Sequence, residues 1–419
     1  MRGRLKLAAV LAAACVGLML TAGGGDAARE TRLEFWTISL QPMFNDYING
    51  LIKAYEKANP GVKVVWKDFP ISAITTKLTA AIAGGIAPDV VNLNTGMAVS
   101  LAERRALVNI EKEFPQYKSV YFEGLWNSAR FEDGVYAFPW YVVTHVLMYN
   151  KTIFEKAGLD PGRPPTTWEE ITEHAKQIKA KTGIYGFMPF ANFVVDLIEL
   201  GVPLTSEDKT RATLNTPDAV AKLQWYQDLM KNDIIPRETL QAGYAGALDR
   251  FQAGQLGMIV TGPQFLSRIR TNAPDVYKNT MIGPYPLSKG KVVGAPLMNL
   301  VIPKASKNWA EAAKFAAYVT SDDAQLAFCK LVTILPSTKK AAEDPFFTQT
   351  DGTIESMARK IAASQLKYAV ESDLTLRHSL DLLDALTVQV EAAIYGEKAP
   401  KEALDQAAAE WNKILQRKD

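Results

Sequence analysis

The sequence predicts an α/β fold built on a parallel sheet and divided into more than one domain. Strand-like and helix-like apolar segments alternate from residue 31 onward, as in strands joined by right-handed crossover helices. The chain has 419 residues, more than a single hydrophobic core normally supports, so two domains are expected. A hydrophobic content of 48% excludes a disordered chain.

The spacing of apolar residues places the first strands and helices. Strands are predicted at 33–38, 62–66 and 89–93, and helices at 44–57 and 71–83. An Asn-Pro-Gly segment ends the first helix and a Gly-Gly pair ends the second. Ligands on such sheets bind beyond the carboxyl ends of the strands, so polar and aromatic residues there are candidates for a site.

Later helices are marked by their N-terminal residues. Thr167 and Glu170 form a capping box, Asn308 is predicted to cap another helix, and Pro217 occupies the first position of a third. The chain from Asp373 to its end is predicted to be mostly helical, because apolar residues recur there at helical spacing.

Residues 1–27 are predicted to be a signal peptide. Arg2, Arg4 and Lys6 precede an apolar run at 7–20, and small residues follow it. The run is shorter than the roughly 20 residues that a membrane-spanning helix needs. The chain is therefore expected in the periplasm or on the extracytoplasmic face, exported by this signal.

The two cysteines lie far apart in the sequence. Lipid anchoring at Cys15 is an alternative, but it is disfavoured because residues 16–20 continue the apolar run. Removal of the leader leaves Cys329 alone, so no internal disulfide can form, and a buried position is predicted for it. The net charge of +2 comes from the leader, so the rest is neutral, which argues against nucleic-acid binding.

The sequence offers no catalytic or metal site. His145, His174 and His378 are scattered and lack the spacing of metal ligands. Residues 337–340 and 181–183 match two motifs of penicillin-recognising enzymes, but in reversed order and without the motif between them. We therefore expect no enzyme, no cofactor and no metal.

Five groups of short motifs, in order along the chain, carry a family resemblance. They are 35–37 with 58–64; 83–91 with 101–103; 135–140 with 148–151, 154–159 and 165–170; 251–254 with 257–258 and 261–263; and 302–308 with 403–407. Together they resemble the extracellular solute-binding proteins of ABC importers, family 1, the branch that includes maltose/maltodextrin and multiple-sugar binding proteins. The resemblance covers residues 31 to about 415.

The resemblance implies a two-lobed periplasmic-binding-protein fold of type II, with parallel-sheet lobes joined by a hinge. The implied N-terminal lobe comprises 28–142 and 298–345, the C-terminal lobe comprises 146–292 and 346–419 with the C-terminal helices, and the hinge lies near 142–148 and 290–298. Binding of a ligand between the lobes would close them about that hinge.

The implied function is capture of a carbohydrate, mono- to oligosaccharide, and its delivery to the transmembrane permease subunits by a monomeric protein. A glycerol phosphodiester or another polar solute is an alternative, which would require clustered cations such as Arg268 or Arg377 in the cleft. An alternative of another class is a secreted enzyme acting on a cell wall or polysaccharide, which would place paired carboxylates about 5–10 Å apart.

Sugar recognition requires aromatic platforms together with polar side chains. Where the resemblance and the strand ends place such residues at the cleft, the candidates are Trp36, Asn94, Thr95, Trp140, Tyr141, Asn192, Tyr244, Gln264, Phe265 and Asn299. Of the adjacent pair Trp140 and Tyr141, only one can face inward from an extended segment, and Trp140 is favoured. Gln264 stands where maltodextrin binders have an aromatic residue, which puts a maltodextrin platform there in doubt.

Overall fold

The computed structural model describes residues 30–132, 134–190 and 192–417. Its strands are β1 (Thr31–Ile38), β2 (Val62–Phe69), β3 (Val90–Asn94), β4 (Arg130–Phe131), β5 (Gly134–Val135), β6 (Phe138–Val142), β7 (Val146–Asn150), β8 (Tyr185–Phe187), β9 (Leu256–Thr261), β10 (Thr280–Gly283), β11 (Val293–Gly294), β12 (Leu297–Val301), β13 (Leu335–Pro336) and β14 (Ala369–Val370). The three strands predicted first are confirmed.

The helices alternate with these strands. They are α1 (Asn45–Ala58), α2 (Ile71–Ala83), α3 (Thr95–Glu103), α4 (Ile110–Glu113), α5 (Glu123–Ser128), α6 (Lys151–Ala157), α7 (Trp168–Thr182), α8 (Phe193–Leu200), α9 (Pro217–Lys231), α10 (Thr239–Gln252), α11 (Leu266–Asn272), α12 (Pro274–Lys278), α13 (Trp309–Val319), α14 (Asp322–Leu331), α15 (Lys339–Ala342), α16 (Ile354–Ser364), α17 (Ser379–Ile394) and α18 (Pro400–Leu415). The first two predicted helices and the helical C-terminal region are confirmed.

Two sheets form the centres of two lobes. The larger sheet has the order β13–β6–β12–β3–β1–β2, and the smaller has the order β10–β7–β9–β8. We call the part around the larger sheet the first lobe and the part around the smaller sheet the second lobe. The predicted two-lobed α/β fold is confirmed.

Strand direction within the sheets differs from the prediction of parallel sheets. β1 is parallel to β2 and β3, but β12 runs antiparallel to β3 and β6, and β13 runs antiparallel to β6. In the smaller sheet only the β8–β9 pair is parallel. The reason is topological: β12 enters the first lobe directly from the second, without the crossover helix that would make it parallel to its neighbour.

The chain passes between the two sheets at several places. It leaves the larger sheet after Val142 and enters the smaller at Val146, and it returns between Gly283 and Leu297. It passes a third time after β13, because α16 packs against β7 and β10 of the second lobe. Beside the second passage, β11 pairs with β14 in a separate short sheet.

The residues predicted to begin helices stand at the N-terminal ends of α7, α9 and α13. Thr167 Oγ1 accepts the amide of Glu170 at 3.2 Å, and Thr216 caps α9 ahead of Pro217. The carboxylate of Glu170 bonds to Thr166 rather than Thr167. Asn308 is the N-cap residue of α13 as predicted, but its side chain makes no cap bond and donates to Asp89 at 3.1 Å.

Buried aromatic side chains pack in the core of each lobe. In the first lobe, Phe35 and Phe315 pack edge to face with ring centroids 5.3 Å apart. In the second lobe, α17 and α18 pack on α8 and α9, and a fully buried Trp411 lies among them. Cys329 is free and buried, as predicted.

The predicted signal peptide and the alternative lipid anchor at Cys15 lie outside the described residues. Within residues 30–417, apart from the two undescribed positions, no helix is both long and apolar enough to span a bilayer.

Candidate ligand-binding site

A cleft of about 500 Å³ lies where the two lobes meet. β6 and β12 of the first lobe, the two passages between the sheets, and helices of the second lobe all contribute to its walls. The lining residues are Tyr141, Val143, His145, Trp168, Phe187, Pro189, Phe190, Asn192, Val195, Asp196, Tyr226, Tyr244, Val260, Gln264, Phe265, Tyr285, Gly294, Pro296, Met298, Ser372 and Asp373. A cavity of about 590 Å³ shares Trp168 with it but is lined by the second lobe and the adjoining 287–289 segment.

Five of the ten residues predicted from the sequence line this cleft. They are Tyr141, Asn192, Tyr244, Gln264 and Phe265. Asn192 also caps α8, where its side-chain oxygen accepts the amide of Val195 at 3.4 Å. The side-chain oxygen of Gln264 is buried and has no hydrogen-bond partner within the described residues.

The aromatic wall of the second lobe is built around Tyr244. Its ring meets Phe265 and Phe190 edge to face, with centroids 5.2 and 5.8 Å away. Gly243 breaks the helical conformation inside α10 with φ 54° and ψ −150°, a left-handed value that glycine adopts without a steric penalty. Tyr244 hydrogen-bonds Thr261 on β9, which fixes the ring at the cleft.

Two of the predicted tryptophans lie in packed regions of the first lobe. Trp36 is 6% exposed, packs on Phe69 at 4.7 Å, and donates to Glu34. Trp140 is fully buried and stacks on Phe328 at 5.6 Å. The favoured orientation of the Trp140–Tyr141 pair was therefore wrong: Trp140 points into the core of the first lobe, and its neighbour faces the cleft.

The three polar residues predicted at the carboxyl edge of the larger sheet lie behind the cleft wall. Asn94 caps α3 by accepting the amide of Met97 at 2.8 Å. Thr95 and Asn299 are fully buried, and the amide of Asn299 donates to the Thr95 hydroxyl at 3.0 Å. Thr95 in turn donates to Glu371 at 2.6 Å. In this structure the three residues are engaged with protein groups rather than lining the cleft.

A pair of carboxyl groups after β14 is a part of the site that the sequence does not reveal. Asp373 lines the cleft and accepts the backbone amide of Gly96 at 2.7 Å. Burial and then the charge of Asp373 raise the pKa of Glu371 to about 8, and burial raises the pKa of Asp373. Both carboxyl groups are therefore protonated more readily than an ordinary carboxyl group.

Other cleft residues also carry no signal in the sequence. Trp168 and Tyr285 pack edge to face with centroids 5.8 Å apart, and both line the cleft. Trp168 begins a helix, where a tryptophan is normally a packing residue, so its sequence position predicts only packing. Phe190, a rim residue that is 51% exposed, lies in a loop that no periodic pattern marks.

The chain was compared with known proteins. Residues 50–354 match the sequence profile of the bacterial extracellular solute-binding proteins, which covers most of the chain. The chain belongs to this family. It is a solute-binding protein of the type that serves ABC transporters.

Relatives of this solute-binding protein extend over nearly its whole length. The sn-glycerol-3-phosphate-binding periplasmic protein UgpB of Escherichia coli K12 is 24% identical, with 94% of each chain covered. A periplasmic-binding protein of Synechococcus sp. MITs9220, for which an oligosaccharide ligand is proposed, is 28% identical with a TM-score of 0.83, covering 91% of this chain and 98% of its own. A solute-binding protein of Thermotoga lettingae TMO, bound with α-D-tagatose, is 24% identical with a TM-score of 0.77, covering 92% and 100%.

The two cations considered for a phosphodiester ligand are each paired with a carboxylate. Arg268 pairs with Asp249 at 3.0 Å, and Arg377 pairs with Glu132. Neither arginine is among the residues that line the cleft of the solute-binding protein.

A buried carboxyl group in this solute-binding protein ties the second lobe to the passage between the sheets. Tyr285 donates its hydroxyl to both oxygens of Glu199 at 2.7 Å, and the amide of Gly294 on β11 donates to the same carboxylate at 2.9 Å. Burial raises the pKa of Glu199 to about 7, although these donors oppose the shift. The group therefore titrates near neutrality.

We expect the stability of the solute-binding protein to fall as Glu199 ionises. Its folded pKa of about 7 lies above the ordinary 4.5, so the stabilising proton is fully bound in the acid range and is lost as the pH rises through 7. Replacing Glu199 with glutamine should flatten the decrease in unfolding free energy between about pH 5 and pH 8, measured by urea unfolding. Glu371 titrates in the same direction in both proteins, so its contribution cancels in the difference. Parallel pH curves would contradict this prediction.

Proposed function

We propose that this solute-binding protein captures a carbohydrate, mono- to oligosaccharide, in the cleft between its lobes. The observation that carries the proposal is the lining of the cleft, where Tyr141, Tyr244 and Phe265 provide ring faces and edges for sugar C–H groups. Asn192 and Gln264 lie among these rings and can hydrogen-bond sugar hydroxyls. A mixed surface of this kind suits a ligand with apolar faces and a polar rim.

Structural neighbours give independent support for a sugar ligand. The Thermotoga lettingae protein was crystallised with tagatose. The GacH receptor of Streptomyces glaucescens GLA.O, 22% identical with a TM-score of 0.78 and coverage of 93% and 100%, was crystallised with acarbose. These ligands are properties of those proteins, and their shared fold makes a carbohydrate the first class to test here.

The proposed mechanism is closure of the two lobes over the ligand. The passages at 143–145 and 284–296 are the proposed hinge, within and beside the expected segments 142–148 and 290–298. The proposed lobes are 28–142 with 298–345 and 146–292 with 346–419. A ligand that contacts both walls favours the closed form by its differential affinity for the two states.

The proposed setting is extracytoplasmic. The mature chain, after removal of residues 1–27, would act as a monomer and deliver its ligand to the transmembrane permease subunits. We propose capture without chemical turnover and without a metal or cofactor, in keeping with relatives that are themselves binding proteins. Nucleic acid is not a proposed partner, because the mature sequence is electrically neutral.

One alternative has specific support. UgpB relatives bind sn-glycerol 3-phosphate, and they align with nearly the whole chain, so a glycerol phosphate or phosphodiester is the second candidate ligand. A secreted polysaccharide-acting enzyme is the candidate of another class. It predicts conversion of a labelled oligosaccharide, which chromatography of an incubated mixture detects.

A thermal-shift screen distinguishes these candidates. Ligand that binds only the folded protein raises the melting temperature, and the rise grows with ligand concentration. We expect a rise with at least one neutral sugar in a panel of mono- to oligosaccharides. A rise only with glycerol phosphates or their diesters would favour the alternative, and no rise with any carbohydrate would contradict the proposed function.

A further inference from the structure

The charged groups that line the cleft are acidic rather than basic. Among the described residues that line it there are two carboxylates, Asp196 and Asp373, and neither a lysine nor an arginine. His145 is the remaining ionisable base, and burial lowers its pKa to about 4, so it is neutral at physiological pH. None of the described residues that line the cleft is therefore a cation at physiological pH.

The two carboxylates differ in whether a neighbouring cation balances their charge. Asp196 is paired with Lys222 at 3.2 Å and accepts the Tyr226 hydroxyl at 2.8 Å, so its charge is balanced within the protein. Asp373 makes no ion pair with any described residue, and its hydrogen-bond donor is the amide of Gly96. Its charge is thus left for solvent or a ligand to satisfy.

Contacts with Gly96 and Glu371 fix the position of Asp373. Gly96 lies in the first turn of α3, and a Cβ at this position would come within 3.3 Å of Oδ2 of Asp373, so glycine permits the close approach. Glu371 stands behind it, held by the Thr95 hydroxyl, and its own carboxylate accepts the amides of Ser372 and Asp373. These contacts hold the carboxylate of Asp373 at the cleft wall.

Closure of the lobes would remove water from this carboxylate. A ligand hydroxyl or ammonium group would replace that water as a hydrogen-bond donor, whereas a phosphate or carboxylate would add a like charge in a medium of lower dielectric constant. Like charges placed together in a desolvated interface cost affinity, which is how charge enforces specificity.

We propose that Asp373 is a specificity-determining residue that admits carbohydrates presenting hydroxyl or ammonium hydrogens and rejects those carrying phosphate or carboxylate. This inference rests on the proposed carbohydrate function. It predicts a ligand different in charge from the sn-glycerol 3-phosphate for which the UgpB relatives are named.

Calorimetric titration of the full mature chain with two matched ligand sets tests the inference. The sets are glucose, glucosamine and glucose 6-phosphate, and galactose, galactosamine and galactose 6-phosphate. In at least one set we expect the neutral and amino sugars to bind at least tenfold more tightly than the phosphate. The Asp373→Asn variant should reduce the ratio of amino-sugar to sugar-phosphate affinity at least tenfold.

Two controls keep the result interpretable. An asparagine amide oxygen can still accept the Gly96 amide, so the melting temperature of Asp373→Asn should stay close to that of the parent protein. Asp384→Asn removes the same charge from an exposed position on α17, and it should leave the affinity ratio unchanged.

The possible results distinguish failure of the charge-selection inference from failure of the proposed carbohydrate function. Equal binding of sugar and sugar phosphate by the parent protein, or an unchanged ratio in Asp373→Asn, overturns the charge selection while leaving carbohydrate capture in place. Binding of neither set, together with no response in the wider thermal-shift panel, overturns both. Binding of the sugar phosphate gained only in Asp373→Asn supports the inference.

Discussion

Replacing Trp411 with alanine is expected to lower the free energy of unfolding by roughly 3–5 kcal/mol. Trp411 on α18 is fully buried in the cluster formed by α8, α9, α17 and α18. Its indole nitrogen donates to the carbonyl oxygen of Leu382 on α17 at 2.8 Å. Removing the ring leaves a cavity between the two C-terminal helices and also breaks this bond. Urea unfolding followed by circular dichroism measures the loss.

Trp309→Ala is the matched control for this prediction. Trp309 begins α13, is half-buried against the core of the first lobe, and its indole nitrogen has no partner within the described residues. Its loss should cost roughly 1–2 kcal/mol, within the range of ordinary substitutions. Equal losses in the two variants would show that α18 does not anchor the second lobe in this way.

Replacing Tyr244 with alanine is expected to weaken carbohydrate binding tenfold to a hundredfold, which corresponds to roughly 1.4–2.8 kcal/mol. The ring lines the cleft and forms edge-to-face contacts with Phe190 and Phe265. An aromatic contact contributes about 0.5–1.5 kcal/mol beyond the area it buries, and truncation also disorders its two neighbours. Titration with the sugar that gives the largest thermal shift measures the loss.

Two further variants test whether the effect comes from the ring in the cleft. Tyr244→Phe keeps the ring and removes only the hydroxyl that pairs with Thr261, so its affinity should stay within about threefold of the parent. Tyr395→Ala removes a tyrosine that is 40% exposed near the end of α17 and should not change binding. Full affinity in Tyr244→Ala would remove this ring from the proposed site.

The local elements were predictable because their signals are local. Alternating apolar residues and an Asn-Pro-Gly turn place β1, α1 and β2 from nearest-neighbour patterns. Strand direction within the larger sheet was not predictable in this way, since β12 pairs with residues more than two hundred positions away. The partner of the Asn308 side chain was not predictable for a related reason, because it is a distant carboxylate, Asp89.

The residues of the candidate site also divide into those with a signal in the local sequence and those placed only by tertiary contacts. Tyr141 and Phe265 were found because family motifs stand beside them in the sequence, whereas Tyr244 was predicted only as a loop residue of the second lobe and lies in α10. The choice of Trp140 over its neighbour failed, because which face of β6 is buried depends on Phe35 and Phe328, which other segments supply. Asp373 belongs to no motif, and at the cleft it contacts Gly96, which is 277 positions away in the sequence.

By itself, the sequence determined the α/β class, the likeness to two-lobed solute-binding proteins and five of the residues that line the cleft. These conclusions rest on periodicity and short motifs, which are properties of neighbouring residues. Only the tertiary structure decided the mixed strand directions, the inward tyrosine and the uncompensated carboxylate of Asp373. Burial and charge compensation depend on residues that meet through space, and their separation along the chain hides them from any local pattern.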